Sequence, residues 1–378
     1  MIYLDNAATT YIKPKSVYSA AGMAFANSGR GGHKLALKAS LEIEKVRLLL
    51  ADFFSVSGPE NIAFCPNTTF ALNYAIHGLL TKNDHIIISG MEHNSVSRPA
   101  YASGAEVSVA KADKNGFVSV KSIENEIKLN TKMIVITHAS NVTGTINPIA
   151  QIGKLARNND IIFLVDAAQT AGILPINVEE DNIDLLAFPS HKHLFGVQGS
   201  GGLYVRENVE IRPIIQGGTG THSLSMKQPN LMPNSLEAGT QNAAAIVALG
   251  KGIEFINKVG IEEIFEHERM LTNYLLDRLL DMKNIIVYGY KGVKEQVGTI
   301  SFNIKSGDGL IDPVEISNIL STRYDIATRA GFHCSGLAHK AIGTDKTGTV
   351  RVSFSYFTKK SDIDKLVSAI KKGVRYFG

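Results

Sequence analysis

The stretch Ile161-Ile162-Phe163-Leu164-Val165-Asp166-Ala167-Ala168-Gln169 sets five apolar residues in a row and closes them with an acid and an amide. An unbroken apolar run of this length, without polar alternation, is the pattern of a strand buried on both faces of a largely parallel sheet. The pattern returns on either side. Residues 85–89, 133–137, 185–188 and 202–205 read as strands, and helical periodicity marks 36–54, 68–80 and 150–158. Helix and strand alternating through short connections mean an α/β sandwich. After position 242 the texture changes to helices at 242–258, 261–282, 313–323 and 361–376, with strands at 284–288, 298–304 and 349–355. That reads as a smaller α+β unit. The expected division is a large domain over 14–255 and a small one over 256–378, joined by the extended opening segment 1–13.

Composition narrows the function. The chain has 378 residues, 44% hydrophobic and 20% charged, which is ordinary for a globular protein large enough for two packed units. Thirty-nine Lys and Arg against 35 Asp and Glu leave a net charge of +4, too small and too scattered for nucleic-acid binding. Two cysteines, Cys65 and Cys334, make no disulfide framework and no Cys-x-x-Cys zinc pair, so a reducing cytoplasm and no metal are expected. The opening Met1-Ile2-Tyr3-Leu4-Asp5-Asn6 has neither the basic nor the apolar region of a signal peptide, and no apolar run is long enough to span a membrane.

Ligands of open α/β sheets lie outside the carboxyl ends of the strands, so the residues that follow each strand carry the most information. Here they are Glu92-His93, then His138 to Gly144 with Asn141, then Asp166 with Gln169, then His191-Lys192-His193. Each alone has a dull alternative: a loop histidine, an aspartate cap, a solvated lysine. Together they place an acid and an amine on one rim. An amine that forms a Schiff base and an acid that keeps a pyridine nitrogen protonated are what pyridoxal phosphate (PLP) requires. At Cys65-Pro66-Asn67-Thr68-Thr69, hydroxyls meet a helix start, an anion site in form. An ordinary Asn or Thr cap would leave the same residues, and both readings stand. The glycine-rich segments 29–33 and 199–202 fit no nucleotide fingerprint, which argues against a nicotinamide dehydrogenase.

Over nearly its whole length the chain resembles the class V aminotransferases of PLP fold type I, and within them the cysteine desulfurases. The resemblance is carried by Tyr3 to Thr10, Glu92-His93, Ser140-Asn141-Val142-Thr143-Gly144, Asp166-Ala167-Ala168-Gln169, His191-Lys192, Glu237-Ala238-Gly239-Thr240, Arg329 to Cys334 and Arg351-Val352-Ser353. It implies a large domain with a mostly parallel seven-stranded sheet and a small α+β C-terminal domain. It implies that Lys192 holds the cofactor and moves protons at the substrate α-carbon, that Asp166 pairs with the ring nitrogen, and that Gln169 bonds the ring oxygen. His93 would stack on the ring, and Asn141 would lie near the ring oxygen and the substrate carboxylate. Thr68, Thr69, Ser190 and His191 would hold the phosphate, with Ser190 standing where the family usually has glycine. Thr240 would reach the phosphate of the neighbouring subunit, implying a homodimer with composite sites. Arg351 would clamp the carboxylate, and Arg329 and His33 would line the substrate entrance.

Cys334 distinguishes the subfamilies. A lone cysteine is often a small buried hydrophobe, but Gly331-Phe332-His333-Cys334-Ser335-Gly336 is polar and near Arg329, a setting for a reactive thiol. The short span from Cys334 to Arg351 resembles the group II, SUF-type branch linked to iron–sulfur cluster assembly, whose members hand sulfur to an acceptor protein. The expected activity is removal of sulfur from L-cysteine, giving L-alanine and a persulfide on Cys334. Selenocysteine lyase, or another aminotransferase or lyase with Cys334 incidental, is the alternative. A scaffold that had lost catalysis would lack Lys192, Asp166 or Arg351, and all three are present.

Overall fold

A computed structural model describes residues 1–28, 32–221, 223–289 and 296–373. Three of the glycine-rich residues, 29–31, and the expected continuation of the last helix beyond 373 lie outside the described residues.

The apolar runs form a seven-stranded sheet in the order Ile62–Cys65, Gly201–Val205, Leu185–Pro189, Ile162–Asp166, Thr131–Thr137, His85–Ser89 and Glu106–Ala110. Gly201–Val205 runs antiparallel to both neighbours; the other pairings are parallel. The central strands are buried on both faces, as their unbroken Ile, Val and Leu content requires. The topology adds two strands to those read along the chain, Ile62–Cys65 and Glu106–Ala110, one at each edge. Glu106–Ala110 falls in the chain between the first two strand ends, so the four site-bearing strands are not consecutive in sequence. In the sheet they are immediate neighbours.

Helices Lys34–Phe54 and Ala243–Val259 pack on one face of the sheet through Ile43, Val46, Leu50, Leu249 and Ile253. Thr68–Leu79 covers the other through Leu72, Ala75 and Ile76. A separate apolar cluster joins Leu271, Leu275 and Leu279 of helix Ile261–Leu280 to Phe302, Val350, Ile316 and Leu366, over an antiparallel sheet built on Thr299–Ser306 and Thr349–Ser353. Leu4 belongs to this second cluster, and Ile2–Tyr3 pairs with Ile326–Ala327. The opening segment then crosses to the large sheet, where Thr10 N donates to His191 O at 3.0 Å. It therefore ties the two cores together beside the strand ends. Among the described residues no helix is long and apolar enough to cross a membrane.

Candidate active site

At the carboxyl edge of the large sheet lies a cavity of about 650 Å³. Neighbouring strands deliver Lys192 after Leu185–Pro189, Asp166 at the end of Ile162–Asp166, Asn141 after Thr131–Thr137 and His93 after His85–Ser89. Thr68, Thr69, Gln169, His191, Arg329 and Arg351 complete the wall.

Asp166 is buried, and its Oδ1 accepts from Ala168 N at 2.9 Å. Burial pushes its carboxyl above the usual range, opposed by that N–H and by Lys192. Burial pulls the Lys192 amine down to about 8, with Asp166 opposing and Arg351 and Arg329 adding to the fall. The lysine is thus poised to lose its proton near neutral pH, as an amine nucleophile must. His93 caps helix Asn94–Ala102: its Nδ1 accepts from Ser95 N at 3.1 Å, which leaves the neutral ring's proton on Nε2. Desolvation, reinforced by Lys192 and Arg329, holds this histidine neutral, down to about 4.

The helix start reconciles the two readings left open in the sequence. Asn67 is the cap, its Oδ1 accepting from Phe70 N at 3.2 Å, a bond of about 1 kcal/mol in helix stability. Thr68 Oγ1 is buried on the cavity wall with no partner. Thr69 Oγ1 shares a hydrogen bond of 2.8 Å with Ser95 Oγ. His191 Nδ1 also lacks a partner.

Ser190 and His33 fall away from this cavity, and Thr240, expected to serve the neighbouring copy, does not line it either. Ser190 is fully buried behind the wall, in backbone bonds with Ser200 and Gly196, and its Oγ packs so closely on Gly196 that any side chain there would collide with it. His33 is exposed and caps helix Lys34–Phe54, its Nδ1 accepting from Ala36 N at 3.2 Å; it does not line this cavity. Thr240 is exposed in a separate polar cavity of about 450 Å³ beside the buried Arg47–Glu237 ion pair of 2.8 Å.

Asn141 lines the cavity with Gln169 and Arg351, and its amide is engaged by the neighbouring loop. Its Nδ2 donates to His333 O at 2.8 Å and its Oδ1 accepts from Ser335 Oγ at 2.7 Å, so its amide brackets the loop that carries Cys334. That loop places His333 and Cys334 in succession in the left-handed region, at φ 48° and 58°. Such geometry costs non-glycine residues on the order of 1–2 kcal/mol each, and Asn141 together with Asn94 N, which donates to Cys334 O at 2.7 Å, holds it. Cys334 is exposed, while Cys65 is buried in a strand. Arg351 is buried; its Nη1 donates to Asn141 O at 3.0 Å and its Nη2 to Asp5 Oδ1 at 2.6 Å.

The opening segment, noted for its likeness to the family but given no part in the site, also reaches the cavity. Ala7 O accepts from Gln169 Nε2 at 3.1 Å, and the Thr10 hydroxyl donates to the Lys192 carbonyl. The acid and hydroxyls of Leu4-Asp5-Asn6-Ala7-Ala8-Thr9-Thr10, too polar for a core strand and too apolar for a tail, were the available signal.

The pattern of the family described as aminotransferase class-V matches residues 2–366. A probable cysteine desulfurase of Halalkalibacterium halodurans is 34% identical, over 100% of this chain and 94% of its own. A cysteine desulfurase of Haloferax volcanii is 31% identical, over 98% of this chain and 88% of its own. The apo structure of a cysteine desulfurase from Thermococcus onnurineus superposes with a TM-score of 0.91 at 31% identity, covering 99% of this chain and 94% of that one. The strand order, the Asp166–Lys192 rim and these likenesses agree, and the chain belongs to the class-V aminotransferase family.

Proposed function

We propose that the protein is a PLP-dependent cysteine desulfurase that moves the sulfur of L-cysteine onto Cys334 and releases L-alanine. The observation that carries this reading is the position of Cys334. It is exposed, its Sγ lies 3.7 Å from Arg329 Nη2, and Arg329 pairs in register with Arg351 on the adjacent strand. A thiol therefore stands beside Arg329, one strand away from the arginine suited to an amino-acid carboxylate.

The cavity fits the cofactor. Thr68 Oγ1, His191 Nδ1 and Gln169 Oε1 are buried polar atoms on its wall without hydrogen-bond partners, and burying them so is costly unless a ligand completes them. Thr68, Thr69 and His191 would hold the phosphate, Asp166 the ring nitrogen, Gln169 the ring oxygen, His93 the ring face, and Lys192 the aldehyde carbon. Bound there, PLP supplies an electron sink for the substrate α-carbon. The chain's own groups do the rest. Arg351 seats the carboxylate, Lys192 and His93 take and return protons, and Cys334 attacks the substrate sulfur. The carbon–sulfur bond breaks, a sulfur–sulfur bond forms on Cys334, and the substrate β-carbon takes up a proton in place of the sulfur, so cysteine plus thiol gives alanine plus persulfide without an external oxidant.

The exposed Thr240, which does not line the Lys192 cavity, supports a homodimer in which it reaches the phosphate of the neighbouring copy. The second apolar cluster, with Leu4 in it, supports a small domain over 256–378 and 1–13 against a large one over 14–255. Two free cysteines fit a reducing cytoplasm, and the exposed Cys334 is open to a sulfur-acceptor protein. Incubation with L-cysteine, and in parallel with selenocysteine, should yield alanine and a Cys334 persulfide from the first. Absence of alanine from L-cysteine, with or without reductant, would overturn the reading.

A further inference from the structure

We infer that Asp5 is the resident counter-ion of Arg351 and a positioning residue that sets how tightly the site takes a substrate carboxylate; this rests on Arg351 being the carboxylate seat. The Arg351 side chain is 1% exposed and its Nη2 lies 2.6 Å from Asp5 Oδ1, while the Asp5 side chain is 20% exposed. A guanidinium this deep is costly without an anion. No other acid in the site takes the role, since Asp166 faces Lys192 and the other charged groups acting on Arg351, namely Arg329 and Lys192, are like charges.

The fold builds the pair on purpose-made backbone. Asp5 bridges to Ser353, two residues from Arg351, and Ser353 N donates to Leu4 O at 2.8 Å. Ala7 N donates to Ser353 Oγ at 2.8 Å and Asn6 Nδ2 to Ser353 O at 2.9 Å. The backbone of Asp5 is thus fixed, and only its carboxylate is left to respond. Arg351 Nη1 is held by the Asn141 carbonyl, and Nε is buried without a partner on the wall of the cavity. An incoming carboxylate meets a guanidinium whose orientation is set and whose charge is already matched. It must share Arg351 with Asp5 or displace that carboxylate toward water, and two carboxylates on one guanidinium repel. The seat therefore favours a ligand that brings a carboxylate of its own, at an affinity below what an unmatched arginine would give.

The test uses the cofactor-loaded protein and propionate, a carboxylate without amine or thiol, read as ligand-induced thermal stabilisation. Asp5→Asn keeps the shape and removes the charge, and should bind propionate roughly tenfold more tightly than wild type. Asp5→Glu, which restores a carboxylate, should return the affinity toward wild type and shows that replacement at this position is tolerated. Arg351→Gln should show no propionate-dependent stabilisation. Equal or weaker binding by Asp5→Asn would overturn the counter-ion role and leave the seat standing. Stabilisation that survives in Arg351→Gln, or none in any protein, would overturn the seat itself, whatever alanine formation shows.

Discussion

Arg329 Nη2 lies 3.7 Å from the Sγ of Cys334, and the residue that links their loop to Arg351 is Asn141. A guanidinium N–H aimed at a sulfur that carries negative charge during attack is a charge-assisted contact of about 1.5–3 kcal/mol. Arg329→Gln should slow persulfide formation roughly ten- to a hundredfold, measured by mass spectrometry after a single addition of L-cysteine. Arg329→Lys should recover only part of it, because a point charge on a flexible stem does not reproduce the planar fork. Full activity in Arg329→Gln would remove this contact from the reaction.

Cys334 is exposed and does not itself line the Lys192 cavity, although its neighbours Arg329 and His333 do. Cys334→Ala should keep the visible absorbance of the lysine-bound cofactor and lose persulfide altogether. Cys65→Ala should keep both, because Cys65 is buried in the edge strand with its thiol pushed up by burial, beyond use as a nucleophile. Its cost should be confined to a small loss of stability, read in denaturant melts.

The Lys192 amine titrates in the folded chain near 8 against an ordinary 10.5, chiefly through burial. As pH falls from 10.5 to about 8, the unfolded chain takes up this proton and the folded chain does not, so cofactor-free protein loses stability across that window. Below about 8 both states are protonated and the loss is constant. Lys192→Met should abolish this slope and stabilise the cofactor-free protein at neutral pH, by up to about 3 kcal/mol. PLP attachment needs the neutral amine, so its rate should climb with pH and level off above about 8. Asp166→Asn, which removes the charge that raises the lysine, should move that inflection lower; an unmoved inflection would show that the two do not interact.

The large sheet was legible because its central strands are buried on both faces, so their sequences are unbroken Ile, Val and Leu whatever the loops do. For the same reason Asp166 and Lys192 were legible: each is the first polar residue, or nearly so, after such a run. The edge strand Glu106–Ala110 was not, because it is half exposed and begins on a charge. Helix Asn94–Ala102 was masked by the proline at 99 inside it. The contacts of Asp5 with Arg351 and of Thr10 with Lys192 join residues 346 and 182 apart in sequence and follow no local period. His33 was drawn to the entrance by the family likeness, whereas its helix-capping bond is a matter of backbone geometry.

His193, next to Lys192, reaches back into the other core. Its Nε2 lies 3.4 Å from Oε2 of Glu268, with the side chains 4% and 0% exposed, and neither Glu268 oxygen has a hydrogen-bond partner. The carboxyl is confined on the other side by Gly298, where a Cβ would come within 2.6 Å of Oε2. A buried acid confined this way depends on the imidazole, so removing the histidine alone leaves it with nothing. His193→Leu should cost about 3–5 kcal/mol of stability. The double replacement His193→Leu with Glu268→Leu should lose far less than the two single changes together, because no unpaired polar group remains. Thermal and urea unfolding of the four proteins gives the coupling energy. A value near zero would mean that the contact is incidental. A large one would mean that helix Ile261–Leu280 braces the lysine loop from behind, and that Gly298→Ala, which presses on the same carboxyl, should weaken cofactor retention without touching the cavity.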